Sequence, residues 1–317
     1  MGEEMQHISV MRDRCVELLA PSIASSAEPV IVDATLGLGG HTEALLTRFE
    51  NLTVIGIDRD KSALEKATAR LAPFGDRLKT AHCVFDEITE VVKSFGLTHI
   101  NGALFDLGVS SMQLDESERG FSYSQDAPLD MRMDRSKGIT AYEIVNSYEP
   151  GKLVKILRTY GEEKFATRIV ENIVKARAIA PLNSTTELAT LVKESIPAAT
   201  RRTGGNPAKR TFQALRIEAN DELGAITRAL PHALDLLMVH GRLVVMSFQS
   251  LEDRIVKEVF LEASTSKSPR NLPIELPEYA AKFSLVFRSG ETPSQSELDE
   301  NPRSASVRLR AIERVAA

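Results

Sequence analysis

Residues 30–58 read VIVDATLGLGGHTEALLTRFENLTVIGID. An apolar run, VIVDA, enters a glycine-rich turn. A helix-spaced segment, HTEALLTRF, follows, and a second apolar run, TVIGID, ends on Asp58. The same rhythm continues through KSALEKATARLA, RLKTAHC and DEITEVVKSF to ALFDLG. Strand, helix and strand at this short spacing specify βαβ units, hence a mostly parallel sheet with right-handed crossovers. Asp60 and Asp86 stand where N-caps of the second and third helices belong.

The glycine turn also predicts a ligand. Gly37, Gly39 and Gly40 lie between strand and helix, where the missing side chains let a ligand approach the backbone. Asp58, 18 residues after Gly40, ends the next strand and is placed to accept hydrogen bonds from a ribose diol. A dinucleotide fingerprint needs a third glycine where this chain has Thr42, and Asp33 adds an acid inside the first strand. Pyrophosphate is repelled by such an acid, whereas the sulfonium zwitterion S-adenosylmethionine carries no phosphate. The residues therefore favour S-adenosylmethionine over NAD, with a ligand-free tight turn as the bland alternative.

After Asp106 the alternation stops. The stretch to Lys137 is rich in Gly, Ser, Asp and Met, and the next hundred residues show helical patterns only. Phe165, Ile169, Ile173 and Val174 are helically spaced within 161–178, Ser184 to Glu187 forms a capping box, and Phe212, Leu215, Ala219, Leu223, Ile226 and Leu230 form one stripe. Strands return with GRLVVMSF at 241–248. Ser250 is placed to cap LEDRIVKEVFLEA, and KFSLVF and SVRLRAI are set to pair as an antiparallel hairpin at one edge. The polar Pro/Ser-rich segment 264–277 reads as a surface loop. The expected organisation is a discontinuous α/β domain, 1–117 with 221–317, carrying a helical insertion at 118–220.

Composition narrows the classes. The chain has 317 residues, 43% apolar and 26% charged, as in ordinary globular proteins. No run approaches the ~18 apolar residues of a membrane span, and MGEEMQHISV lacks a basic region followed by an apolar run, so a cytoplasmic location is expected. Two cysteines, Cys15 and Cys83, and six scattered histidines give no disulfide framework and no metal-ligand spacing. A net charge of -5 argues against a uniformly basic coat. Within 195–216, however, Arg201, Arg202, Lys209, Arg210 and Arg216 stand with no acidic residue among them, an electrostatic footprint for phosphate.

The fourth strand ends in Asp106, followed by Gly108, Ser110 and Ser111. From there the block DLGVSSMQLDESERGFSYSQDAPLDMRMD, residues 106–134, is far more specific than any glycine turn. Together with HISVM, DATLGLGGHTEALL, GIDRD, YGEEKFATRIVENIVKAR, RTFQALRIEANDEL, GRLVVMSFQSLEDRIVK and NPRSASVRLRAIER, it resembles the ribosomal RNA small subunit methyltransferase H family over almost the whole chain. That resemblance implies a class I, Rossmann-like S-adenosylmethionine-dependent methyltransferase fold with a helical insertion, acting on the exocyclic N4 of a cytidine in 16S rRNA of the small subunit. It implies a donor site of Gly39, Gly40, His41, Asp58, Phe85, Asp106 and Gln113. Asp106 and the Ser110 region are the candidate hydrogen acceptors, and the insertion is the RNA-recognition domain. A homodimer is compatible with this reading.

The chain departs from the family's pattern at three places: Met112 for a usual proline, Gln249 for a usual histidine, and GGNPAKRTFQ where HPATRTFQ is common. A glutamine at 249 argues against an obligatory proton acceptor there. Phe121 and Tyr123 are candidates to stack on an extruded base. The competing readings are an RNA-binding assembly factor with a vestigial donor pocket and a methyltransferase of a non-RNA substrate.

Overall fold

The computed structural model describes residues 9–198, 206–269 and 279–317. In chain order its first half runs α1 (Arg12–Ala24), β1 (Val30–Asp33), α2 (Gly40–Arg48), β2 (Thr53–Asp58), α3 (Lys61–Arg70), β3 (Leu78–His82), α4 (Ile88–Ser94) and β4 (Ile100–Asp106). The helices α5 (Ser111–Asp115), α6 (Ala141–Ser147), α7 (Pro150–Gly161), α8 (Ala166–Arg177), α9 (Thr185–Ser195) and α10 (Lys209–Asn220) follow. The chain closes with α11 (Glu222–Leu236), β5 (Leu237–Ser247), α12 (Ser250–Ala263), β6 (Phe283–Leu285), α13 (Gln295–Glu300) and β7 (Arg308–Arg314).

Among the described residues the strands form a seven-stranded sheet in the order β3-β2-β1-β4-β5-β7-β6. The first five are parallel, while β7 pairs antiparallel with both β5 and β6, so the closing hairpin lies at the edge. Successive strand residues point to opposite faces, and both faces are buried. Val32, Ile55, Phe105 and Val245 pack with α4, α11 and α12 on one side; Ile31, Val54, Leu104 and Val244 pack with α1 and α2 on the other. Burial on both sides is why these strands read as continuous apolar runs rather than as alternation.

The chain divides into two compact units: the segments up to Gly108 and from Leu223 onward, and Val109–Glu222. The second unit starts earlier than the expected residue 118, because Val109 already packs against its core and buried Arg119 ties the next loop by donating to the carbonyls of Arg132 (3.2 Å) and Met133 (2.8 Å). Helices α6 to α10 bury Ile144, Leu157, Ile169, Leu188 and Leu215 in that unit. Asn220 fastens α10 to the same loop, donating to Met131 O (2.7 Å) and accepting from Met133 N (2.8 Å).

Several local expectations need correction. The stripe from Phe212 to Leu230 is two helices, because Asp221 adopts φ 48° between them. Phe212 and Leu215 serve the second unit's core, Ile226 and Leu230 the sheet's. The 161–178 segment likewise breaks at Glu162, φ 48°, leaving Phe165 just ahead of α8. Strand β5 begins at Leu237, four residues before the expected 241. Asp60 caps α3 as expected, accepting the amide of Ser62 at 3.1 Å. Asp86 does not cap α4: it sits in a short 3-10 turn, Phe85–Glu87, and accepts from Arg228 Nε at 2.8 Å. Nor is Ser250 the cap of α12. It is the first helical residue, and the fully buried Glu252 receives the amides of Phe248 (2.8 Å) and Gln249 (3.2 Å) instead. The LEDR and RLRA blocks meet where Asp253 accepts two bonds from Arg310, at 2.7 and 3.0 Å.

Candidate active site

The turn after β1 is built by its own polar groups. Asp33, 1% exposed, accepts from the Thr42 hydroxyl at 2.7 Å and from the Thr35 amide at 3.3 Å, and burial pushes its carboxyl above the ordinary range. Threonine thus stands in the third-glycine place because its hydroxyl holds the buried acid. The Thr35 hydroxyl oxygen in turn accepts the Asp106 amide at 2.7 Å, tying the ends of β1 and β4. Gly39 opens α2 at φ 81°, and a Cβ there would lie 2.7 Å from Leu71 Cδ1. At Gly40 a Cβ would lie 2.1 Å from Ser9 Oγ, so Ser9 is packed directly against the first turn of α2.

Asp58 ends β2 with its carboxylate already oriented: Oδ2 accepts the Gly37 amide at 2.7 Å and Oδ1 the Asp60 amide at 2.8 Å. Burial pushes its carboxyl up to about 6, outweighing those two amide bonds. Each oxygen retains acceptor capacity, so a diol can still be received there.

His41 and Asp106 behave differently. His41 is 6% exposed on the first turn of α2, and among the described residues neither ring nitrogen has a hydrogen-bond partner. Its Nε2 lies 3.6 Å from Asp106 Oδ2, beyond hydrogen-bonding distance, and Asp106 Oδ1 is also buried without a partner. Each such orphan costs about 1–3 kcal/mol. A ligand end carrying both donors and an acceptor, as an amino-acid zwitterion does, would satisfy all three atoms. The cradle thus fits the methionine part of S-adenosylmethionine, with Asp58 fit for its ribose.

Phe85, in the turn after β3, is half-buried and meets Phe105 edge-on at 5.5 Å. Ser110 and Gln113 belong to the second unit, where they cap α5 reciprocally: Gln113 Oε1 accepts the Ser110 amide (3.1 Å) and Ser110 Oγ accepts the Gln113 amide (3.3 Å). Phe121 and Tyr123 are not offered as stacking platforms. Phe121 is buried in that unit's core, and Tyr123 packs edge-on against Phe212 at 5.5 Å.

Of the basic set, Arg201 and Arg202 lie outside the described residues. Lys209 and Arg210 are exposed on the first turn of α10. Arg216 is committed elsewhere: its guanidinium donates to both oxygens of Glu222, at 2.8 and 2.9 Å, with both side chains largely buried. That ion pair competes with its expected role as a phosphate contact. Sequence reading missed the roles of Thr35, Thr42 and Glu252, polar residues whose importance lies in bonds across the fold; spacing marked Thr42 only as the place of an absent third glycine. Among the described residues no group of His, Cys, Asp and Glu is arranged to hold a metal ion, and no helix is long and apolar enough to cross a membrane.

Comparison with known proteins gives the same direction. The chain is 55% identical over 314 residues to the Ribosomal RNA small subunit methyltransferase H of Renibacterium salmoninarum, covering 98% of this chain and 95% of that protein. It is 54% identical over 310 residues to the protein of the same name from Saccharopolyspora erythraea, covering 98% and 94%. The profile of the MraW methylase family matches residues 4–315. The chain belongs to the MraW methylase family.

Proposed function

We propose that this protein transfers the methyl group of S-adenosylmethionine to the exocyclic N4 of a cytidine in 16S ribosomal RNA of the small subunit, in the cytoplasm. The observation that carries the reading is a set of three buried polar atoms with no hydrogen bond among the described residues, both ring nitrogens of His41 and Asp106 Oδ1, at the carboxyl edge of β1 and β4. Open α/β sheets bind ligands at that edge.

S-adenosylmethionine supplies an electrophilic methyl carbon on a sulfonium, so neither metal nor strong acid is required. The residues of the chain orient and accept. Asp58 receives the ribose diol, and the glycine turn admits the donor against the backbone. The cytosine amine is a weak nucleophile because its lone pair is delocalised into the ring. The acceptor capacity that the Asp106 carboxylate keeps beside the donor receives an N–H of that amine, which returns density to nitrogen as the C–N bond forms and the methyl–sulfur bond breaks to leave a neutral thioether, and then holds the proton that nitrogen must lose. Alignment and this acceptor carry the rate, by orientation and by charge placed in advance. Ser110, as cap of α5, has the supporting role of fixing the turn that follows. Lys209 and Arg210 are exposed cations suited to phosphate.

Incubation with methyl-labelled S-adenosylmethionine and undermodified small-subunit particles, followed by nucleoside mass spectrometry, tests the reading. Label on N4-methylcytidine supports it. RNA binding without label would instead indicate an assembly factor, and label on protein or a small molecule a different substrate.

A further inference from the structure

The fold gathers cations that are scattered in sequence. Helix α7 ends at Gly161, the chain turns through Glu162, and α8 begins at Ala166. The Arg158 Nη2 donates to the Thr167 hydroxyl at 2.9 Å across this corner. The start of α10 packs onto it: Arg210 Nη1 donates to the Glu162 carbonyl at 3.1 Å, and a Cβ on Gly161 would lie 2.6 Å from the Arg210 carbonyl oxygen. Glycine at 161 is what lets the two backbones come this close.

Three chain segments therefore meet at one corner of the second unit, bringing exposed Arg158, Lys164 and Arg168 to exposed Lys209 and Arg210. Two acids share the corner, but one is turned inward: Glu163 is 5% exposed and accepts the Phe165 amide at 2.8 Å. Arg158 and Arg210 spend their described bonds on a neutral hydroxyl and a carbonyl, not on a carboxylate. Among the described residues neither guanidinium forms an ion pair with a carboxylate. Exposed cations that form no ion pair among the described residues, gathered at the ends of helices, match the charge of a nucleic-acid backbone.

We propose that this corner is a phosphate-binding surface for the RNA substrate, in which Arg158, Lys164 and Arg168 act together with Lys209 and Arg210. The inference rests on the ribosomal RNA reading above and adds three residues and a location to it. None of the three lies in the basic 195–216 segment, and each neighbours an acidic or neutral stretch in sequence, which hides the cluster from a linear reading.

The test uses the full chain and undermodified small-subunit particles. In R158Q/K164Q/R168Q, KM for the particles should rise about tenfold or more, and the slope of log affinity against log salt should become shallower by about 2, since each phosphate contact contributes roughly 0.7 to 0.9. Affinity for S-adenosylmethionine should not change. The charge-keeping variant R158K/K164R/R168K should behave like wild type, and R254Q/K257Q/K267Q, three exposed cations of the other unit, should leave the slope alone. An unchanged KM and slope in the first variant overturns the surface while wild-type methylation upholds the RNA reading. An equal loss in the charge-keeping variant, or in the other-unit variant, also overturns it, as evidence of a structural or a net-charge effect. Absence of particle methylation by wild type overturns both readings together.

Discussion

The ends of β1 and β2 differ from the end of β4 in how their polar groups are satisfied. Around Asp33 and Asp58 every carboxylate oxygen has a partner within the fold: Thr42, Thr35, Gly37 or Asp60. At the end of β4, Asp106 Oδ1 and both nitrogens of the neighbouring His41 have none among the described residues. The satisfied region is held by its own bonds; the unsatisfied one keeps hydrogen-bonding capacity for a ligand. The second unit repeats the contrast, with Arg216 closed on Glu222 and Arg210 open to solvent. Satisfied groups thus report structure and unsatisfied ones report function.

The strongest way to break this contrast is at Asp58, the one satisfied carboxylate also assigned to the ligand. Asp58→Ala should abolish S-adenosylmethionine binding measurable by calorimetry, a loss beyond ~100-fold, because the diol loses its acceptor and the Gly37 amide its anchor. Unchanged affinity would remove the ribose role.

In the second unit, Arg216→Met leaves the Glu222 carboxylate largely buried and unpaired, and should destabilise the fold by about 3 kcal/mol in urea denaturation, with donor affinity intact. A stability change below about 1 kcal/mol would return Arg216 to the candidate phosphate contacts.

Thr42→Val should cost about 2 kcal/mol, since a buried carboxylate loses a hydroxyl donor without any change in side-chain shape. Restoring a third-glycine pattern at this place, Thr42→Gly, should be no better, which separates this turn from a dinucleotide fingerprint.

The smallest effect sharpens the contrast by pH. Because the folded-state value of Asp58 is raised from 3.8 to about 6, protonation favours the donor-free fold. That contribution is complete below the unfolded value and is lost as pH rises through about 6. Donor binding runs the opposite way, since a ribose diol is received by the ionised carboxylate. Affinity should therefore rise with pH to about 6 and then level off, changing roughly tenfold per pH unit on the acid side. Calorimetric titration across pH checks this, and the dependence should vanish in Asp58→Asn.

The sheet was readable from the sequence because burial on both faces makes the inner parallel strands nearly unbroken apolar runs, as in VIVDA and TVIGID, whereas the edge strand LKTAH is half-exposed. The sites of helix breaks were less readable. Asp221 adopts left-handed backbone with no adjacent glycine or proline to announce it, and at Glu162 the left-handed residue is not Gly161 itself but the one after it, so apolar periodicity ran through both. For the donor site, glycines and strand-end acids at short spacing pointed to Gly39, Gly40 and Asp58. The partnerless state of His41 and Asp106 is a three-dimensional fact with no linear signature. Charge was the least readable quantity: Arg216 looked equivalent to Arg210 until Glu222 was seen to close on it, and Arg158, Lys164 and Arg168 gave no linear sign of their common corner.

The most direct test compares wild type with Asp106→Asn in one assay, with saturating S-adenosylmethionine, undermodified small-subunit particles and nucleoside mass spectrometry as the readout. The account predicts N4-methylcytidine from wild type, a kcat lowered about 100-fold or more in the variant, and donor affinity altered far less than the rate. Undiminished turnover by Asp106→Asn would contradict it.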